Sequence, residues 1–101
     1  MANDTQIVKW LLEGCIPKII SKEELYGYKT VEILNEIGFD VNEATVYPIL
    51  TRLENKGGLK VEKRPSPFGP MRKYYFLTRE GQLSLEEFQE TWMRMMEMVN
   101  Q

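Results

Sequence analysis

Apolar residues recur at helical spacing in the first part of the chain. Residues 5–21 combine aliphatic side chains with a tryptophan and predict a first helix. Proline lacks a backbone N–H and crowds the carbonyl four residues earlier, so we expect a kink or a break at Pro17. Residues 26–37 place apolar side chains on one face and predict a second helix, which Gly38 is positioned to end.

A third helix is predicted to begin after Asn42, a residue well suited to cap a helix N-terminus. The paired glycines Gly57 and Gly58 end it, and Pro48 is expected to bend its first turns. The apolar positions have the spacing of a single buried face: Val46, Ile49, Leu50 and Leu53. The polar side chains of this segment therefore lie on an exposed face.

After these glycines the pattern changes from helical to alternating. Residues 59–64 and 72–77 predict two strands, and the proline- and glycine-rich segment between them predicts the turn of a β-hairpin. Thr78 is then expected to cap a last helix. Apolar residues follow along that helix at intervals of three and four, the spacing of a helix that pairs with another: Leu85, Phe88, Trp92, Met95 and Val99.

The order of these elements predicts the fold. It is mainly α with a small β-hairpin, namely a winged helix-turn-helix followed by a long C-terminal dimerisation helix. The 101 residues suffice for one domain with one core. We assign residues 5–77 to the winged-helix core, including the first helix, and residues 78–101 to the C-terminal helix.

The charge is distributed unevenly along the chain. The formal net charge is −2, but residues 52–73 carry seven basic and two acidic side chains, a net of +5. Residues 1–51 have a net charge of −4 and residues 74–101 a net charge of −3. A local basic segment within an acidic protein indicates one edge that faces phosphates, although a solvated surface has the same composition.

Several function classes lack the residues that they need. The chain has no histidine and one cysteine, Cys15, so we expect no metal site, no cofactor and no enzymatic activity. A small buried apolar residue is the simpler interpretation of Cys15. No apolar run approaches the ~18 residues of a membrane-spanning helix, and no leader pattern opens the chain, so a cytoplasmic location without membrane contact is expected.

The third helix carries residue types that contact DNA. Thr45 and Thr51 suit base edges or phosphates, whereas Arg52 and Lys56 suit phosphates. Asn42 and the free amides of the first turn can hold a phosphate, but capping is the larger part of the role expected for Asn42.

The remaining candidates lie at the border of the third helix and on the β-hairpin, which is the wing of this fold. Tyr47 lies at the border of the apolar face of the third helix, where its hydroxyl can meet a phosphate or its ring can pack between helix and wing. Arg64, Arg72 and Lys73 flank the hairpin turn and suit the DNA backbone, or they keep a strand edge soluble. Tyr75 shares a side with Lys73, so we expect it to be exposed and to contact DNA.

Three segments resemble the PadR family of winged-helix regulators: LYGYKTVEIL (25–34), NEATVYPILTRLENKG (42–57) and GPMRKYYFLTREG (69–81). The length resembles that of the short branch, which has a single C-terminal helix. The resemblance implies a homodimeric repressor that releases DNA when a small molecule binds. It also implies a third helix in the major groove, a hairpin on the backbone or minor groove, and a dimer formed by the first and last helices.

The chain departs from the family pattern at two places in the wing. Gly58 and Leu59 follow the recognition helix where the family usually has two aliphatic residues, which removes an apolar contact. Lys63 stands where the family frequently has a tryptophan, which adds positive charge and favours phosphate contact.

The aromatic and methionine-rich stripe of the last helix has two interpretations. It is either plain dimer core or, as the resemblance implies for short PadR proteins that bind flat hydrophobic drugs, a pocket formed by Trp92 and its dimer mate. Flat rings and thioethers suit a planar hydrophobic effector. The residues expected in the dimer or the pocket are Trp10, Leu85, Phe88, Trp92, Met95, Met96 and Val99.

Two hypotheses from different classes result. The leading one is a homodimeric, sequence-specific regulator bound to a palindromic operator in double-stranded DNA, a repressor released by a small hydrophobic ligand or a stress signal. The alternative is a winged-helix module that docks a protein and ignores DNA. The basic segment 52–73 favours the first, because a protein-docking wing would expose apolar groups instead.

Overall fold

The structure is a computed structural model that describes residues 6–101. Residue 5, where the first helix is predicted to begin, lies outside the described residues. Four helices and three strands follow one another in the described part of the chain: α1 (Gln6–Lys22), β1 (Leu25–Tyr26), α2 (Gly27–Ile37), α3 (Glu43–Asn55), β2 (Leu59–Ser66), β3 (Gly69–Leu77) and α4 (Arg79–Val99). The predicted fold class is confirmed, since a helix-turn-helix, a hairpin and a long C-terminal helix follow in the expected order.

Helix α1 continues through Pro17, so of the two expected outcomes the break is wrong and the kink stays a prediction. Proline removes one backbone hydrogen bond at a cost of about 3 kcal/mol. The same turns bury Leu12 and Ile16 completely, and Ile20 almost completely. Full burial of such side chains contributes about 1.5–3 kcal/mol each, which outweighs the lost hydrogen bond.

The ends of α2 and α3 match the local signals of the sequence. Gly38 ends α2 with a φ of 125°, a conformation that favours glycine, and its N–H donates to the carbonyls of Leu34 and Asn35. The side chain of Asn42 accepts a hydrogen bond of 3.2 Å from the backbone N–H of Thr45. The N-cap prediction for Asn42 is therefore confirmed.

The sheet contains a short strand that the hydrophobic pattern does not indicate. Strand β1 pairs with β3, and the sheet order is β1-β3-β2, antiparallel throughout. Two residues are too few to show alternation, and β1 exists only because Leu25 lies opposite Tyr75. Strands β2 and β3 form the predicted hairpin, whose two-residue loop is Pro67 and Phe68.

One core joins the helices to the inner face of the sheet. Helices α1, α2 and α3 each supply buried aliphatic residues, and the sheet covers one side of the core with Leu59 and Tyr75. The fully buried side chains are Leu12, Ile16, Thr30, Leu34, Val46 and Leu50. This packing fixes which face of α3 remains exposed to solvent.

Helix α4 is attached to the base of the hairpin. The Thr78 side chain caps α4 by accepting from the N–H of Gly81 at 3.0 Å, and its own hydroxyl donates to the carbonyl of Gly57. The N–H of Thr78 donates to the carbonyl of Gly58 at 3.1 Å. A Cβ at Gly81 would overlap that carbonyl oxygen. Because glycine alone allows this approach, the start of α4 lies directly against the start of β2.

The two halves of α4 differ in burial. Gly81 and Leu85 are its buried residues, and its last turns are exposed. The described residues measure 52 Å along the longest axis, against 31 Å and 21 Å for the others. Within residues 6–101, no helix is both long enough and apolar enough to cross a bilayer.

Candidate nucleic-acid interface

Helix α3 presents a polar face beside the hairpin. Tyr47 is 41% exposed, and Thr51 lies one turn further along the same side. The Tyr47 ring packs over Gly27 at the start of α2, where an added Cβ would lie 3.0 Å from ring atom Cε1. The missing side chain of Gly27 therefore lets the ring lie flat between α2 and α3. Burial, together with the nearby Glu43 carboxylate, raises the pKa of Tyr47, so its hydroxyl keeps its proton.

A cleft of about 580 Å³ separates this face from the wing. It runs between the start of α2, the middle of α3 and strand β3. Five of the residues predicted to contact DNA line it: Tyr47, Thr51, Arg72, Lys73 and Tyr75. Tyr28, which is 51% exposed, also lines it and was missed. The sequence offered no signal for Tyr28, because its place depends on how α2 packs against the sheet.

The hairpin register divides the wing cations between two faces. Lys63 lies opposite Lys73, and Arg64 lies opposite Arg72. Since neighbouring side chains of a strand point to opposite faces, the two lysines share one face and the two arginines the other. Lys63 thus joins the predicted contacts. The sequence analysis noted its charge only as a departure from the family pattern, and the register supplies its position beside Lys73.

Arg72 and Arg64 have different partners. The Arg72 guanidinium lies 4.5 Å from the ring centroid of Tyr26, a cation–π contact, and has no ion pair within residues 6–101. The Arg64 guanidinium bonds to Glu24 and Glu62, with Nη2 lying 3.1 Å from Oε2 of Glu24. It also lies 4.8 Å from the ring centroid of Tyr74.

These contacts change the charge that each arginine offers to DNA. Hydrogen bonding from Arg64 lowers the pKa of Glu24, and its two carboxylate partners raise the pKa of Arg64. A phosphate would have to displace carboxylates to bind Arg64, whereas Arg72 is available as it stands. The predicted contact at Arg64 therefore meets a competitor that the sequence did not reveal.

The remaining candidates on α3 lie outside the cleft. Arg52 forms an ion pair with Glu13 of α1, and both side chains are partly exposed. Lys56, at the end of the helix, is exposed. Asn42 and the half-buried Thr45 form the N-terminal cap, and Asn42 borders a separate depression against α2.

The expected exposure of Tyr75 is wrong. Its side chain is 7% exposed and belongs to the core, and burial raises the pKa of its hydroxyl. Tyr75 does share a face with Lys73. On this face of β3, however, Lys73 borders the open cleft, whereas Tyr75 lies in the core. Tyr75 pairs with Leu25 on one side and with Val61 on the other.

The residues predicted for the dimer or pocket also separate into two groups. Leu85 is 3% exposed inside its own protomer, so its assignment to a surface between protomers is wrong. Phe88 is half-buried and packs on Trp10, with ring centroids 4.5 Å apart, over the bare backbone of Gly14. The exposed members lie further along α4: Trp92 at 40%, Met96 at 43% and Val99 at 81%, beside the half-buried Met95.

Comparison with known proteins places the chain in a family. The model of the transcriptional regulator PadR-like family matches residues 16–87. A transcriptional regulator from Streptococcus is 40% identical, with a TM-score of 0.87 over 96% of both chains. A PadR-like transcriptional regulator from Bacillus cereus is 42% identical, with a TM-score of 0.85 over 95% of this chain and 94% of that chain.

A more distant structure shares the fold. Bacillus subtilis PadR in complex with operator DNA is 23% identical and covers 77% of this chain and 45% of its own, with a TM-score of 0.71. The family match and the two relatives at 40% and 42% identity decide the assignment, and the family is one of transcriptional regulators, not of enzymes. The chain belongs to the PadR-like family of DNA-binding transcriptional regulators.

Proposed function

We propose that this chain forms a homodimer that binds a palindromic operator and represses transcription until a small planar hydrophobic ligand releases it. The observation that carries the DNA half of the proposal is the cleft between α3 and the wing. There Tyr47 and Thr51 lie near Lys73 and near the Arg72 side chain, which reaches the cleft beside the ring of Tyr26 although its strand position belongs to the other face. Polar side chains on a recognition helix beside unpaired cations on a wing suit base edges and phosphates, respectively.

The cations that line the cleft, together with Lys63 on the neighbouring strand opposite Lys73, support this use. Arg72, Lys73 and Lys63 have no ion pair within the described residues, and all three are exposed. Cations without carboxylate partners bind phosphates without first losing a contact. Arg52 can bind a phosphate only after it breaks its ion pair with Glu13. Arg64 must likewise break its ion pairs with Glu24 and Glu62.

The last turns of α4 support the dimer. Trp92, Met96 and Val99 are exposed at intervals of four and three, on a helix whose first half is packed within the protomer. An amphipathic helix stabilises itself by burying such a stripe against another helix. A second copy of α4 supplies a matching stripe through two-fold symmetry.

The same stripe supports the ligand. Trp92 offers a flat aromatic surface and the methionines around it offer adaptable thioethers. A planar ligand between two Trp92 rings would release DNA only by binding the DNA-free arrangement of the dimer more tightly. Trp92→Ala is therefore expected to abolish ligand release, measured at a protein concentration at which sedimentation shows this variant to be dimeric.

DNA binding is tested by titrating the dimer with duplex DNA from upstream of its own gene and with random-sequence duplex, at several salt concentrations. We compare the wild type with Lys73→Gln and with Lys9→Gln, a control on α1 whose side chain is also exposed. Loss of one phosphate contact reduces the slope of log K against log salt by about 1. We expect that reduction for Lys73→Gln and no change for Lys9→Gln.

Two results would contradict the proposal. If a folded, ligand-free dimer binds neither duplex, the basic wing serves another purpose, such as docking a protein. If Lys9→Gln lowers the salt slope as much as Lys73→Gln does, then the cleft is not the interface. Sedimentation of the wild type and of Trp92→Ala tests the dimer separately, since a monomeric wild type refutes the two-fold arrangement.

A further inference from the structure

The tip of the wing has a composition unlike the rest of the hairpin. Phe68 is 100% exposed and occupies the second position of the two-residue loop. Residues 65–71 contain no charged side chain, although each strand carries cations up to that point. Met71, next to the loop, is 55% exposed. The wing therefore ends in an apolar tip, residues 65–71, which extends beyond the positively charged part of the hairpin.

The fold gives no reason for a phenylalanine at this position. A fully exposed ring contributes nothing to the core, and isolated exposed apolar residues are common on protein surfaces. The backbone of the loop is stiffened, however, because prolines stand at positions 65, 67 and 70. Proline fixes φ near −65°, so the loop loses less conformational entropy when the ring binds something.

The length of the hairpin fits the spacing of the DNA grooves. Tyr75 lies at the cleft against α3, and Gly69 begins β3 at the tip, six residues earlier. At about 3.3 Å per residue these positions are about 20 Å apart. A helical turn of DNA is about 34 Å long, so the minor groove lies about 17 Å along the axis from the centre of the major groove. With α3 in the major groove, the tip reaches the adjacent minor groove.

The cations at the base of the hairpin fit the same arrangement. The Lys63–Lys73 and Arg64–Arg72 pairs lie three to five residues before or after the loop on each strand. That is where the phosphates bordering the groove would pass. An uncharged tip gains nothing from phosphates, whereas the floor of the groove and the faces of the bases are apolar partners for a ring.

We propose that Phe68 enters the minor groove as an apolar wedge and bends the DNA at the step it contacts. The inference rests on the proposed DNA binding and names the residue that deforms the operator. Its partner is a pyrimidine–purine step such as TA or CA, because these steps unstack at the lowest cost. Phe68 then contributes to specificity without a hydrogen bond to any base.

The test compares the wild type with Phe68→Ala, with Phe68→Trp and with Leu83→Ala on upstream duplex DNA. Leu83 is the control, an apolar side chain that is 52% exposed near the start of α4, at the base of the hairpin and not at its tip. Three quantities are measured: the Kd, the salt slope, and the bend obtained from circularly permuted fragments. A second duplex series carries 2-aminopurine at successive TA and CA steps, because its fluorescence rises when a base unstacks.

We expect Phe68→Ala to weaken binding about tenfold or more, since burying one aromatic side chain is worth at least that factor. The salt slope stays unchanged, because no charge is removed. The bend and the 2-aminopurine signal are lost. Phe68→Trp restores both, and Leu83→Ala behaves as the wild type.

The two hypotheses fail in different ways. If the wild type binds DNA with a salt-dependent Kd and Phe68→Ala binds and bends the same DNA equally well, the wedge is refuted and the proposed function stands. If Phe68→Ala changes only self-association, the tip contacts protein and the wedge is again refuted. If the wild type binds no duplex, both are refuted together.

Discussion

Replacing Gly14 by alanine tests how α1 and α4 are held together. Gly14 is buried in the middle of α1, and the end of the Phe88 ring lies over its backbone. An added Cβ would lie closer than 3.0 Å to three atoms of that ring, a separation that real Cβ atoms do not show. The ring would have to move, and its packing against Trp10 would be disturbed.

Two opposing effects set the magnitude. Alanine is better than glycine in a helix interior by about 0.8–1 kcal/mol. Overpacking a well-filled site costs about 1–3 kcal/mol. We therefore expect Gly14→Ala to lower the free energy of unfolding by up to about 2 kcal/mol, which lowers the Tm by up to roughly 15 °C in a domain of this size.

Removing the ring should reverse the sign of the effect. In a Phe88→Ala background the three atoms nearest to the new methyl group are gone, so the gain in helix propensity should dominate. Gly14→Ala should then raise the free energy of unfolding by about 1 kcal/mol. Urea unfolding of the wild type, both single variants and the double variant, at one protein concentration, measures the coupling. The concentration is fixed because association shifts apparent stability.

The sign of the stability change caused by Gly14→Ala in each background shows whether the contact with Phe88 is the cause. If Gly14→Ala is as destabilising without the ring as with it, the cause is the α1 backbone and not the contact with Phe88. If Gly14→Ala stabilises the wild type, the ring does not lie over Gly14, and the described packing of α4 on α1 is incorrect.

Two further predictions concern groups of α1. Glu13→Gln frees Arg52 for phosphate, so the slope of log K for DNA binding against log salt should steepen by about 1. The free energy of unfolding should change by less than about 1 kcal/mol, because the ion pair is partly exposed. An unchanged slope in duplex titrations would show that Arg52 never reaches DNA. Burial raises the pKa of Cys15, so at pH 8 its thiol is mostly protonated and iodoacetamide should label it more slowly than in urea. Mass spectrometry follows the labelling, and equal rates in both conditions would contradict the burial.

The sequence predicted the elements that depend on local chemistry. The bounds of α3 follow from a capping side chain at Asn42 and from Gly57, which adopts a φ of 86° just after the helix. Thr78 starts α4 for the same reason. Such signals act within four residues, so they can be read before the fold is known.

The errors occurred where distant parts of the chain decide. The burial of Tyr75 depends on β1, a two-residue strand that exists only through its pairing. Leu85 has the spacing of a seam between helices, yet the core of its own protomer takes it up. Ion pairs of Arg52 and Arg64 join residues 39 and 40 positions apart. Periodicity gives the direction of a side chain relative to its own element, and it does not say what lies on that side.

The joint at Thr78 has a mechanical consequence. Hydrogen bonds from Thr78 to Gly57 and Gly58, and the close approach of Gly81, leave no flexible linker between the hairpin and α4. Strand β2 has eight residues, so the tip of the hairpin lies about 26 Å from this joint. Because the base of the hairpin also packs in the core, a rotation of α4 by about 10° relative to a dimer partner would carry the whole protomer with it and move the tip by about 4–5 Å, on the scale of the rise of one base pair. Small rotations of one helix are thereby converted into displacements on the scale at which DNA sequence is read.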